Sequence, residues 1–207
     1  MSHSGVPDTD VLGLLLQESG ALHHHLCPRQ VLGVRLGLYG LRLLGFIDDS
    51  YQPRFTNPDK RLLTIIEIDG CGADGIAVST GCWVGKRTLR VVDIGKVAAT
   101  LVDAETGRAI RVTPSHDSRS LACDLAPEAE SRWHAYLQAY QFIPDDLLMN
   151  FREVRLVQSI ENILSTPEAY ALCDLCGEEI FNAREVEQKN LHLCRTCAGN
   201  AYYQIDN

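Results

Sequence analysis

Apolar side chains recur at spacings of three and four residues along a stretch that begins at Pro28. They are Val31, Val34, Leu38, Leu41 and Leu44. This period predicts an amphipathic helix with one buried face. Pro28 fits its first turn, because the N–H that proline lacks would have no partner there. A shorter helix is predicted over residues 11–18, with Thr9 or Asp10 as its cap and Gly20 as its end.

The middle of the chain consists of short segments rich in β-branched residues, separated by turn residues. Residues 62–68 are predicted to form a strand that stops at Asp69-Gly70, and residues 71–80 a short helix. The turn Glu105-Thr106-Gly107 predicts a hairpin. The other predicted elements are strands over residues 88–93, 96–102, 108–113 and 151–157, and a helix over residues 127–140.

The composition limits the classes of function. Hydrophobic residues make up 45% of the 207 residues and charged residues 22%, which is typical of a globular protein with a sizeable core. The formal net charge is −8, which argues against nucleic acid as a partner, because contacts to phosphates need a basic surface. No apolar run is long enough to span a membrane, so no membrane association is expected.

The N-terminus has neither the basic segment nor the apolar segment of a secretory signal, and we expect a cytoplasmic protein. In a reducing compartment, eight cysteines are better explained as metal ligands or reactive thiols than as disulfides.

Two Cys-x-x-Cys pairs near the C-terminus predict a zinc site. Their four thiolates, Cys173, Cys176, Cys194 and Cys197, match the tetrahedral preference of Zn²⁺. Gly177 suits the tight turn after the first pair, and residues 195–203 are predicted to continue as a helix, as in a treble clef. Since all four ligands are thiolates, the zinc would be structural and would supply most of the folding energy of this small module.

A second group of candidate metal ligands lies near the other end of the chain. His23, His25 and Cys27 alternate, so in an extended chain they share one side, and they precede a helix N-terminus that favours a thiolate. Cys71 and Cys82 flank or lie within a second glycine-rich segment. Together these residues could hold a second ion, zinc or another transition metal. The alternative is that the cysteines are ordinary core residues.

Two further residues are candidates for catalysis. Asp74 could orient a ligand histidine or accept a proton, although it could equally be a helix cap. Lys86 follows a glycine and could present its ammonium group to an anionic substrate, as could Lys96. The alternative for both lysines is a solvated position in a hairpin.

Several motifs resemble the signature of the family formed by the E subunit of formylmethanofuran dehydrogenase. They are His23-x-His25-x-Cys27-Pro28 with Leu32-Gly33-x-Arg35-x-Gly37, Cys71-x-x-Asp74, Gly81-Cys82-x-x-Gly85-Lys86, and Asp93-x-Gly95-Lys96-x-Ala98. The resemblance implies an α+β fold, with a mixed or antiparallel sheet flanked by helices over residues 1–160. It also implies a treble-clef zinc finger over residues 161–207.

The sequence departs from the family pattern around the second site. His24 stands between the two histidines and Arg29 after Cys27-Pro28, where the family has glycines, and Trp83 follows Gly81-Cys82. The resemblance therefore implies a metal site more strongly than a shared substrate. We expect a metal-binding protein that catalyses one-carbon or redox chemistry or is accessory to it, with a molybdenum or tungsten enzyme as a possible partner. The alternative is a zinc-finger regulatory or interaction protein.

Three glycines of the predicted second helix suggest a close helix contact. Gly33, Gly37 and Gly40 lie on roughly one side, so another backbone can approach there. Either a segment of the same chain or a second copy could fill this groove. A homodimer is predicted, because it would also cover Leu36, Tyr39 and Leu43, which lie off the apolar stripe.

Overall fold

The chain divides between Val157 and Gln158 into two units, Met1–Val157 and Gln158–Asn207, which fold around separate cores. The computed structural model describes residues 5–7, 9–163 and 169–204. No helix within these residues is both long enough and apolar enough to cross a membrane.

A five-stranded mixed sheet forms the centre of the first unit, and its order is β2-β1-β3-β4-β5. The strands are β1 (Leu62–Ile66), β2 (Leu89–Val91), β3 (Ala99–Asp103), β4 (Ala109–Pro114) and β5 (Met149–Val154). Strand β2 lies at an edge and runs parallel to β1, whereas the other neighbouring pairs are antiparallel. The predicted α+β class with a mixed sheet is therefore confirmed.

Six helices accompany this sheet in the described part of the first unit. They are α1 (Thr9–His23), α2 (Pro28–Leu44), α3 (Cys71–Thr80), α4 (Ser118–Leu125), α5 (Arg132–Ala139) and α6 (Asp145–Leu148). Helix α1 continues through Gly20, where the sequence predicted its end. The helix predicted over residues 127–140 is observed as α5, which starts later because a hydrogen-bonded turn at Ala126–Ala129 precedes it; helix α4 was not predicted.

Helix α2 is the centre of the first unit, and it is buried along nearly its whole length rather than on one face. Leu36 and Tyr39, which the sequence predicted to be exposed without a partner chain, have exposed fractions of 0% and 1%. Strands β3 and β4 pack against α2, and so do helices α1, α3 and α5. Elements of the same chain thus bury Leu36 and Tyr39, although these residues lie off the apolar stripe.

The glycine side of α2 is filled by α3 of the same chain. A Cβ atom built on Gly33 would meet the carbonyl group of Gly72 and lie 3.1 Å from the Cα of Gly75. A Cβ built on Gly75 would in turn lie 2.8 Å from the backbone nitrogen of Val34. The two helices thus meet backbone to backbone. Because α3 of the same chain fills the groove, the glycines are no longer evidence for the predicted homodimer.

Both arginines of α2 pair with one buried carboxylate. Arg35 donates to Asp145 Oδ1 at 2.8 Å and to the carbonyl oxygens of Tyr140 and Ile143 at 2.7 and 2.6 Å. Arg42 lies 3.3 Å from Asp145 Oδ2, and the Tyr51 hydroxyl donates to the same oxygen. Since a buried charge is tolerated only when it is paired and hydrogen-bonded, this network ties α2 to the segment that precedes β5.

Where the structure describes it, the second unit has a short helix and two hairpins. The elements are α7 (Ile160–Ile163), β6 (Tyr170–Leu172), β7 (Glu179–Phe181), β8 (Val186–Gln188) and β9 (Leu191–Leu193). Strand β6 pairs with β7 and β8 pairs with β9. Helix α7 lies within the predicted connection of residues 159–167, of which residues 164–167 fall outside the described part of the chain. The helix predicted over residues 195–203 is wrong, because turns occupy this stretch.

We expect Gly75→Ala to destabilise the first unit by about 1–3 kcal/mol or more, because the added methyl group would overlap the backbone of α2. Gly13→Ala is the matched control: Gly13 lies on α1, and a Cβ there would meet nothing within 4 Å. Alanine should stabilise that helix position by about 0.5–1 kcal/mol. Urea denaturation measures both changes in the free energy of unfolding. A Gly75→Ala protein as stable as the parent would contradict the backbone contact.

Candidate metal centres

The four cysteines of the second unit converge on one point. Their sulfur atoms all lie within 4.8 Å of one another, and the sulfurs of Cys176 and Cys194 are 3.9 Å apart. A tetrahedral zinc ion with Zn–S bonds of about 2.3 Å needs sulfurs roughly 3.8 Å apart. The donor set therefore fits zinc, and Cys173, Cys176, Cys194 and Cys197 form the one cluster of three or more such ligands in the described residues.

Two tight turns hold these sulfurs. The N–H of Gly177 donates to the Cys173 carbonyl at 2.8 Å, and the N–H of Ala198 donates to the Cys194 carbonyl at 2.9 Å. Gly177 has φ = +75°, which a residue with a Cβ rarely adopts. The turns are joined through Asp174, whose carboxylate accepts from the N–H of His192 at 2.7 Å. These hydrogen bonds bring the two cysteine pairs together in the folded unit.

Hydrogen bonds to the sulfurs change the pKa values of thiols in this cluster and so decide which of them ionise first. Backbone N–H groups, with those of Cys176 and Cys194 contributing most, lower the pKa of Cys173 to about 6. The neighbouring thiol of Cys194 raises the pKa of Cys197 to about 12. Four crowded sulfurs cannot all ionise without a cation between them. A divalent ion would remove that repulsion, and this is the role zinc plays in a closed thiolate site.

The first unit brings two further cysteines together. Cys27 is the N-cap of α2 and Cys71 is the first residue of α3, and the glycine contact between these helices sets their N-termini side by side. Burial raises the pKa of the Cys71 thiol, and its hydrogen bond with the Cys27 thiol raises the pKa further. Both sulfurs lie at helix N-termini, whose dipoles stabilise negative charge. A cation bound between the two sulfurs would offset the raised pKa of Cys71 and favour the thiolate forms.

His23 and Asp74 form a hydrogen-bonded pair beside these thiols. His23 ends α1, and its Nε2 contacts Asp74 Oδ2, one turn of α3 beyond Cys71. The two side chains are 30% and 34% exposed. The Nδ1 of His25 donates to the His23 carbonyl at 2.9 Å, and the two rings lie 5.9 Å apart. Each of these two imidazoles thus has one nitrogen bonded to an oxygen.

The local backbone differs from the sequence prediction. His23 is helical and His24 has φ = +59°, so His23 to Cys27 is a helix end and a turn rather than an extended segment. The proximity of His23 and His25 therefore comes from this turn and not from strand alternation.

Cys82 lies apart from the other candidate ligands. It follows the C-terminal end of α3, whereas Cys71 starts that helix, and ten helical residues span roughly 15 Å. Its buried thiol donates to the Leu62 carbonyl and accepts from Asn57 and Thr64, all at 3.4 Å. Burial raises its pKa. These contacts make Cys82 part of the core beside β1.

A cavity of about 360 Å³ opens beside Asp74, between α3 and the edge strand β2. We call it the α3–β2 cavity. Its walls are the α3 side with Ala73 and Ala77, the strand residues Ile66, Leu89 and Val91, and the loop residues Trp83, Val84 and Gly85. Asp69 and Gly70 complete it. The sequence did not predict this cavity, although residues 70, 73, 74 and 77 have the spacing of one side of a helix.

The candidate lysines, Lys86 and Lys96, are exposed and do not line the α3–β2 cavity.

The fold and the four-cysteine cluster define the class first: an α+β protein with a metal-binding finger. A family model described as "FmdE, Molybdenum formylmethanofuran dehydrogenase operon" matches residues 22–170 of the 207. The chain belongs to this family, and the resemblance seen in the sequence motifs is confirmed.

The chain is also similar to a curated protein and to a solved structure. Over 106 residues the chain is 33% identical to a probable S-adenosyl-L-methionine-binding protein of Archaeoglobus fulgidus, and the match covers 51% of this chain but 28% of that protein. The fold is similar to the crystal structure of a tungsten formylmethanofuran dehydrogenase FmdE-like protein from Syntrophus aciditrophicus. The TM-score is 0.58 and the identity 19%, with 99% of this chain and 100% of that chain covered.

We expect about one tightly held zinc ion per chain at the four-cysteine cluster. Cys197→Ser should release it and unfold both hairpins, because this small unit has few buried apolar side chains besides its cysteines. The first unit should keep its melting temperature. Elemental analysis and amide NMR spectra measure these effects. Cys123→Ser on α4 is the matched control and should keep the zinc; a zinc-free reduced parent protein would contradict the assignment.

Proposed function

We propose that this FmdE-family protein binds a second transition metal ion in its first unit, through Cys27, Cys71 and His23. The observation that supports this most is the meeting of two thiols at two helix N-termini, one turn from a histidine held by a carboxylate. Thiolate and imidazole together suit zinc and softer transition metals.

The contacts of His23 favour this role. Its Nε2 is bonded to Asp74, so Nδ1 is the nitrogen left to coordinate an ion. A carboxylate that holds the other ring nitrogen is the usual partner of a ligand histidine, since it fixes the tautomer and raises the basicity of the ring. Asp74 therefore acts as a positioning residue. His25, exposed and tied to the His23 carbonyl, is the candidate for an additional ligand.

The three ligands are not gathered within 4.8 Å of one another, unlike the four cysteines. Binding would draw His23 Nδ1 toward the two thiols through side-chain rotation. Such a site keeps an open position, whereas the four-thiolate site is closed. A bound metal could supply Lewis-acid or redox chemistry at that position. Cys82 is left out of this site, because α3 separates it from Cys71.

Family membership supports a role beside a molybdenum or tungsten enzyme, or in one-carbon or redox metabolism. The protein would act there either as an enzyme or as a metal-carrying accessory protein.

Lys86 remains a candidate for substrate binding: it is exposed and follows Gly85, which lines the α3–β2 cavity. A Lys86→Ala protein with unchanged activity, once a substrate is known, would remove that role.

The second metal can be tested by its stoichiometry. In anaerobically purified protein we expect about two transition metal ions per chain, and about one in the Cys27→Ala/Cys71→Ala variant. Cys82→Ala is the matched control, since it removes a buried thiol outside the proposed site and should keep both ions. His23→Ala should weaken the second ion and leave the structural zinc. Equal metal content in the parent and the double variant would refute the proposal.

A second candidate function is suggested by the apolar outer face of the β6–β7 hairpin. Tyr170 is 66% exposed, Leu172 56% and Phe181 52%, and Tyr170 is paired with Phe181. Ala171 and Ile180 alternate with them and are less exposed, and Ile180 packs in the small core with Cys173. Exposed apolar patches of this kind mark protein contacts. We propose that this face binds a second copy of the chain, which keeps the predicted homodimer on a different surface.

Sedimentation velocity over a range of concentrations tests this contact. We expect a dimer that Leu172→Ser and Phe181→Ser together convert to the 22.9 kDa monomer, with the zinc retained. Leu125→Ser, which changes an exposed leucine of α4, is the matched control and should leave the dimer intact. A parent protein that stays monomeric at all concentrations would exclude this surface as a dimer contact.

A further inference from the structure

The lining of the α3–β2 cavity combines two charged residues with apolar ones. Asp69 and Asp74 are its charged residues, and both are acids. Its remaining lining consists of aliphatic residues, glycines and Trp83. A volume of about 360 Å³ is at the lower end of the range for small-molecule sites. The cavity is therefore sized for a small organic molecule.

The basic residues closest in sequence are not part of the lining. Lys86 and Arg87 follow Gly85 and are exposed to solvent. Arg90 lies between the lining residues Leu89 and Val91, so strand alternation directs it to the opposite face of β2, where its guanidinium donates to the Leu89 carbonyl at 3.1 Å. An anionic ligand would thus meet two carboxylates and no cation within the lining.

Trp83 adds a second feature that favours a cation. It is half-buried, packs against the core, and lines the cavity together with the two acids. An indole ring attracts an ammonium group through its negative face, and the attraction grows when the site is partly shielded from water. The aliphatic walls from Ile66, Ala77 and Leu89 would contact the apolar body of the same ligand.

We infer that the α3–β2 cavity binds a small organic cation with an apolar body. Its charged head lies between Asp69 and Asp74, and its body lies against Trp83 and the aliphatic wall. This inference deepens the proposed function and rests on it for location, because Asp74 also holds His23. The head of the ligand would then lie about one helical turn from Cys71. Lys86 lies outside this lining, so its candidate role in binding an anionic group is separate from the α3–β2 cavity.

Three probes of similar shape and different charge test this assignment. Benzylamine is a cation at pH 7, benzyl alcohol is neutral and benzoate is an anion. The protein has two tryptophans, and Trp133 is 44% exposed on α5, so a Trp133→Phe background lets fluorescence report Trp83 alone. We expect benzylamine to bind about tenfold more tightly than benzyl alcohol, and benzoate more weakly than either.

Variants separate the charge effect from the shape effect. Asp69→Asn and Asp74→Asn should each weaken benzylamine about fivefold and leave benzyl alcohol unchanged. Asp124→Asn, an exposed acid on α4, is the matched control and should change neither probe. Ala73→Leu would fill the cavity and should weaken all probes together.

Either of two results would overturn the inference. One is binding of benzoate as tight as that of benzylamine; the other is benzylamine binding that both asparagine variants leave unchanged. Repeating the titration on Cys27→Ala/Cys71→Ala separates the two proposals. Retained benzylamine binding in that variant supports the cavity even if no second metal is found, whereas binding lost there would show that the cavity does not bind the cation by itself.

Discussion

The backbone contact between α2 and α3 is the constraint on which the first unit depends. Gly33 and Gly75 leave no room for a Cβ between the helices, so the two backbones come closer than side chains would allow. This approach aligns the two helix N-termini and places Cys27 beside Cys71. It also sets the side of α3 that lines the α3–β2 cavity. The absence of a Cβ atom at these two glycines thus determines both how the helices pack and where the residues of the candidate site lie.

The two units obtain their stability from different sources. The first has a continuous apolar core around α2, and its buried charges are paired through Asp145. The second has a small core in which Ile180 and Leu193 lie beside Cys173. Such a unit needs a cross-link, which a zinc–thiolate site supplies.

The two sites also differ in what they can do. Four thiolates on one ion leave no open position, which suits a structural role. The proposed second site has Cys27, Cys71 and His23, which are fewer ligands than a closed site needs, and Asp74, the partner of His23, lines the α3–β2 cavity. An ion bound there would have room for a further ligand. The position of Asp74, between His23 and the cavity, links the proposed metal to the proposed organic cation.

Features that depend on local spacing could be read from the sequence. The Cys-x-x-Cys pairs predicted the four-cysteine cluster, Cys71–Thr80 was predicted as a helix with its observed bounds, and Glu105-Thr106-Gly107 was predicted as the hairpin turn. Contacts between distant segments could not. The packing alone shows that α3 fills the glycine groove, that Tyr39 is buried within one chain, and that Cys82 is a helix length from Cys71. The reason is physical: spacing along a chain defines which residues share a side of an element, whereas the neighbour that covers that side is chosen by the packing of the whole core.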